Sequence, residues 1–153
     1  MRPTTLATIA RRSLEIVLIF SAVSAIGGAI AMLITDGLGM PDSLLTGSPF
    51  SSFVFPALIL FVIIGGTHTL AAFLLVRQRP TSLLWSAVAG FAMIIWIMVE
   101  TVIVRGFSLL QGLYFFAGAA ELGLVLALLG IVTWVTPAHF AHDTTVTTKK
   151  ARS

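Results

Sequence analysis

Four long apolar runs divide the chain, at about 14–34, 53–76, 83–104 and 112–135. Each reaches the roughly 20 helical residues that cross a hydrocarbon core about 30 Å thick. The runs are continuous rather than alternating, so they do not read as the strands of a membrane barrel. A spanning segment must also satisfy its backbone N–H and C=O groups internally, and a helix does so without help from a neighbour. The pattern predicts an all-α membrane protein, a four-transmembrane-helix bundle over residues 1–136 with a disordered basic tail at 137–153.

The breaks carry their own chemistry. Thr35-Asp36-Gly37 and Gly47-Ser48-Pro49 bound an outer loop, with turn-forming residues at both ends. Within it, Pro41-Asp42-Ser43-Leu44-Leu45 reads either as plain connection or as the start of an interfacial helix with its leucines towards lipid. Gln78-Arg79-Pro80 parts the second and third runs, with Thr81 or Ser82 as an N-cap. Ser108 and Gln111 have capping-box spacing at the head of the fourth, and Pro137 ends it.

Composition strengthens the membrane reading. Only 10% of residues are charged, against about 25% in a soluble domain, so a water-soluble enzyme and a disordered chain are both excluded. There is no cysteine, which removes disulfides, thiolate nucleophiles and Cys-ligated metals. The net charge of +3 is no nucleic-acid patch, because the basic residues stand at the ends of the apolar runs. Arg2, Arg11, Arg12, Arg77, Arg79, Lys149, Lys150 and Arg152 fall on one side, and Arg105 alone falls on the other beside Asp36 and Asp42. The positive-inside rule then puts both termini in the cytoplasm, with Trp85 and Trp134 near the inner interface. Arg11-Arg12 serves a start-transfer anchor as well as it would a twin-arginine signal, and the first run is long for the latter. In the tail, His139, His142 and Asp143 make a poor metal site, and the lysines suit anionic headgroups. No metal, cofactor or nucleic acid is expected.

Ionisable residues inside apolar runs are costly, so each is a functional candidate. Glu15 is close enough to Arg11 and Arg12 to pair at the boundary. His68 lies nine residues before Arg77, about 13 Å from the inner end. Glu100 lies five before Arg105, about 8 Å below the outer boundary. Glu121 lies nine residues into the fourth run. Gln111, Tyr114, Gly118 and Glu121 make one helical stripe. Glu100 shares a face with Ser86, Met93 and Trp96. A polar cluster of Glu100, Arg105, Gln111, Tyr114 and Glu121 is expected in the outer half, and His68 reaches Glu121 if the second helix packs beside the fourth. Two uses stay open, a proton relay or polar-ligand site and plain interhelical fastening. Small residues (Ser21, Ser24, Gly28 and Ala31 in the first run, Gly65, Gly66, Ala71 and Ala72 in the second) read as packing surfaces. Ser21-Ala22-Val23-Ser24-Ala25 also echoes Ser86-Ala87-Val88-Ala89-Gly90, and Gly65 to His68 echoes Gly118 to Glu121, as two parallel helical hairpins would.

Gly47-Ser48-Pro49-Phe50-Ser51-Ser52, Gly65-Gly66-Thr67-His68, Trp96-Ile97-Met98-Val99-Glu100, Phe107-Ser108-Leu109-Leu110-Gln111 and Gly118-Ala119-Ala120-Glu121-Leu122 follow in order. As a set they resemble small four-helix bacterial integral membrane proteins, over roughly residues 35–130. The resemblance implies a bacterial cytoplasmic membrane and a four-helix fold, and it brings no catalytic residue. Small multidrug-resistance transporters fit less well, since Glu15 is at the membrane boundary. A bis-histidine haem would need a second embedded histidine.

Two functions are expected. The first is an accessory or interaction subunit of a larger membrane complex, or a homo-oligomer, motivated by small size and small-residue faces. The alternative is a small proton-coupled transporter or ligand-binding membrane protein using Glu121 with His68 and Glu100, assisted by Tyr114, Gln111 and Arg105. No nucleophile–base pair argues for catalysis.

Overall fold

The computed structural model describes residues 5–47, 49–104, 106 and 108–135. Arg105, Phe107, Pro137 and the tail therefore lie outside the described residues, as does the side chain of Trp134. Four helices are long and apolar enough to cross a membrane. They are α1 (Thr5–Ile34), α2 (Val54–Val76), α3 (Ser82–Val104) and α4 (Leu109–Val135). The apolar runs located these helices but not all of their ends. α1 begins nine residues before its run, because an apolar run measures hydrocarbon thickness while a helix continues until something caps it.

α1 packs beside α2 and α4, and α3 beside α2 and α4. The helices thus form a ring in chain order, with α1 opposite α3 and α2 opposite α4. The expectation that His68 meets Glu121 through adjacent helices is therefore corrected. The residues do meet, but across the diagonal of the ring.

The packing suits a bundle in lipid. Its interior is rich in alanine, with Ala25, Ala29, Ala57, Ala71 and Ala89 buried, while Ile16, Val23, Phe55, Val62, Phe91 and Phe116 face outward. Because lipid is as apolar as leucine, burying large side chains gains little there, and small ones let backbones approach. The closest approach is between α3 and α4. A Cβ on Gly118 would stand 3.0 Å from the Gly90 carbonyl oxygen, and one on Gly90 3.1 Å from that of Gly118.

α2 is not a uniform α-helix. Leu60–Gly65 forms a π turn, in which the Gly66 N–H reaches the carbonyl of Phe61 five residues back. The next three side chains brace it. Thr67 donates to the Ile63 carbonyl at 2.6 Å, His68 Nδ1 lies 2.7 Å from that of Ile64, and Thr69 donates to that of Gly65 at 2.7 Å.

The ends are capped as their residues allow. α2 closes in a Schellman turn, with Gln78 at φ 53° and the Arg79 N–H on the Leu74 carbonyl at 2.9 Å. Arg11 adds a bond to the Leu75 carbonyl at 2.6 Å, placing a cation at a helix C-terminus where the dipole favours it. Glu15 pairs with Arg12 at 2.9 Å, as its position suggested. Ser108 and Gln111 form the expected capping box, each backbone N–H bonded to the other's side chain.

After α1 the chain turns through Asp36, Gly37, Leu38 and Gly39, all at positive φ. Gly37 is required there twice over, because a Cβ would also collide with the Phe53 ring. The loop then makes a 3-10 turn at Asp42–Leu45. Its leucines are not turned wholly outward. Leu44 and Leu45 are half-buried and line a small cavity with Met32, Phe53 and Trp96.

Candidate functional site

Three levels stack along the bundle axis. At the end bearing Arg11 and Arg77, Leu14, Leu18, Ala71, Ala72, Leu75, Ala89, Val125 and Leu128 form one apolar cluster. Towards the loop end, Ala25, Ile64, Met93 and Ile97 form a second. In sequence Ser21 falls between these two layers on α1 and His68 on α2, Glu121 lies on the loop side of Val125 on α4, and Ser86 stands beside the first layer on α3. These four polar residues, one from each helix, are fully buried.

Glu121 is the hub. Its Oε1 accepts a hydrogen bond from the Ser21 hydroxyl at 3.1 Å, and its Oε2 lies 3.2 Å from His68 Nε2. That second approach lacks the alignment of a hydrogen bond, and neither atom has another partner among the described residues. Ser86 turns away, donating to the carbonyl of Ser82 at 2.9 Å.

The proton inventory follows from donors and acceptors. A backbone carbonyl only accepts, so the His68 nitrogen facing Ile64, Nδ1, must carry a hydrogen. In a neutral ring Nε2 is then a bare acceptor, and it faces a carboxylate oxygen that is also bare. Two acceptors 3.2 Å apart repel. One proton converts the repulsion to attraction, either as imidazolium beside carboxylate or as imidazole beside carboxylic acid. Ser21 is free to donate in the first case. The facing pair lies between the two apolar layers.

A separate cavity of about 110 Å³ lies towards the loop end. Met93, Trp96 and Glu100 of α3 and Tyr114 of α4 line it, with Ser24 and Gly28 of α1. Tyr114 stacks on Phe20, ring centroids 6.3 Å apart. Glu100 is half-buried and has no hydrogen-bond or ion-pair partner among the described residues. A second cavity of about 50 Å³ adjoins the first, sharing Met32, Trp96 and Glu100.

The single outer cluster expected from the sequence is thus divided. Glu121 and His68 meet at the centre, Glu100 and Tyr114 share the cavity, and Gln111 is engaged in its cap. Arg105 lies outside the described residues. Ser21 is the member that sequence reasoning missed, having been read as packing. Depth was the available signal, since Ser21 stands nine residues after Arg12 and His68 nine before Arg77. Among the described residues no group of three His, Asp or Glu comes together that would hold a metal ion.

Comparison with known proteins returned no matching family model, no matching curated protein and no matching solved structure.

Proposed function

We propose that this chain is a small proton-binding membrane protein of the transporter or ligand-binding kind, with Glu121 and His68 sharing the proton and Ser21 holding the carboxylate. One observation carries the reading, namely two fully buried titratable groups 3.2 Å apart whose other neighbours leave room for a single proton between them. An ionisable pair is an expensive way to fasten helices in lipid, where an ordinary interhelical hydrogen bond contributes about 0.6 kcal/mol. The π turn just ahead of His68 adds support, since such turns are frequent at functional sites.

The accessory-subunit reading needs small-residue faces free for a partner. Gly65 packs towards Ile26 and Gly28 towards Leu60, both inside the chain, while Gly27 and Gly66 stand in open space, so only part of each small-residue face is left for a partner. Its partner would be a larger membrane complex or a second copy.

The charge bias supports placing both termini in the cytoplasm, and the resemblance noted in the sequence is the support for a bacterial cytoplasmic membrane. Arg11 meets the end of α2 beside Arg77 and Arg79, so these cations share one end of the bundle. The ring also supports two parallel hairpins, because a twofold axis along the membrane normal would exchange α1 with α3 and α2 with α4. Ser21 would then correspond to Ser86, and His68 to Glu121.

The test is an infrared and ¹⁵N titration of the full chain in lipid nanodiscs. A carboxyl band and the His68 ring signals should change together, and Glu121→Gln should abolish the linked change while the bundle stays folded. If proton uptake by Glu121→Gln and His68→Gln equals that of the wild type, the centre is a fastener only.

A further inference from the structure

The loop-end cavity has a chemistry of its own. Glu100 is the only carboxylate in its lining, and no basic side chain joins it there among the described residues, so the cavity favours cations over anions. A bare metal ion is a poor occupant. One carboxylate offers too few oxygens to replace its water shell, and Ala25, Leu60 and Ile97 on the walls offer none. The walls suit a cation that carries little water. Trp96 and Tyr114 supply aromatic surface, which attracts weakly hydrated ammonium groups, quaternary ones above all, and Met93 supplies a polarizable sulfur.

Size narrows the class. A cavity of about 150 Å³ accepts benzene, with its six heavy atoms. The 110 Å³ found here therefore suits about four to five heavy atoms by the same scale. The adjoining space of about 50 Å³ beneath Leu44 and Leu45 opens from the same three residues, Met32, Trp96 and Glu100. A substituent on the cation would extend that way, towards the loop.

We propose that this cavity binds a small methylated ammonium cation, its charge on Glu100 and its methyl groups against Trp96 and Tyr114. The inference rests on the ligand-binding part of the proposed function and names the ligand class, but it does not require the proton at Glu121. Ala25, Ile64 and Met93 lie between the two sites.

Tetramethylammonium is the probe, radiolabelled and dialysed to equilibrium against the full chain in nanodiscs. The wild type should bind it saturably at one site. Glu100→Gln, close in shape and uncharged, should weaken binding by about tenfold or more. Trp96→Leu should weaken it too, and tert-butyl alcohol, a neutral molecule of the same shape, should not compete. Glu121→Gln should bind as the wild type does. The proposal is overturned if the folded wild type shows no saturable binding, or if Glu100→Gln and Trp96→Leu both keep full affinity. It is equally overturned if Glu121→Gln loses binding as fully as Glu100→Gln, since the cation would then sit at the central pair. Proton uptake measured on the same samples separates the two ideas, because it reports on Glu121 and His68 whatever happens at Glu100.

Discussion

At the scale of single residues, the balance at the bundle centre predicts a distinctive mutational pattern. His68→Leu strands a buried carboxyl group, and removing one member of a buried pair costs about 3–5 kcal/mol. Replacing both members with apolar residues of similar volume is often neutral or stabilising, so His68→Leu with Glu121→Met should recover most of the loss. Unfolding in mixed detergent, read as a double-mutant cycle, checks this, and additive losses would contradict the shared-proton geometry. Ser21→Ala should cost far less, near the 0.6 kcal/mol average of about one interhelical hydrogen bond. The residues that make this pattern were only partly legible in the sequence. A histidine and a glutamate in apolar runs announce themselves by their expense, whereas a serine in such a run costs little and looks like any small packing residue. Its role emerges only when its depth is matched to that of His68.

At the scale of elements, close approach and irregular winding separate the helices. Gly118→Ala should destabilise the bundle by about 1–3 kcal/mol, an overpacking cost, because the new methyl group meets a backbone carbonyl at 3.0 Å that cannot step aside. Gly123→Ala, with open space around it, should be neutral in the same unfolding assay. A π turn is one residue more than an α-helix needs, so deleting the exposed Val62 should return α2 to regular winding while His68 keeps its face. Deleting Val88 from the regular α3 should instead turn everything beyond it by about 100°, one residue's share of a 3.6-residue turn, and prevent folding. Detergent-stable yield and the His68–Glu121 cycle energy read both deletions. Nothing in Leu60–Gly65 announces a wider turn, because its hydrogen bonds are made by backbone that any apolar residue could supply. The order of helices around the ring was equally hidden. In lipid every outer face is apolar, so the contrast that reveals the buried side of a soluble helix is flattened. Local polar spacing carried further, giving the Ser108–Gln111 cap and the Arg12–Glu15 pair directly.

At the scale of the whole molecule, the absence of cysteine makes the orientation directly measurable. Ser43→Cys should react with an impermeant maleimide from outside intact cells, and Thr81→Cys only after the membrane is opened. The reverse result would invert the molecule and leave its internal geometry untouched. The diagonal between α2 and α4 also bears on biogenesis. A ribosome delivers Ser21 and His68 to the membrane well before Glu121. The imidazole waits with Nδ1 already held by its own helix. The carboxyl group, the more expensive guest in lipid, arrives last, into a cradle already furnished with a hydroxyl donor and a basic nitrogen. A nascent chain stalled before α4 would not yet carry the central acid, whereas a complete chain whose α4 failed to close the ring would display it unpaired. An unpaired central acid would be the chemical mark of unfinished assembly.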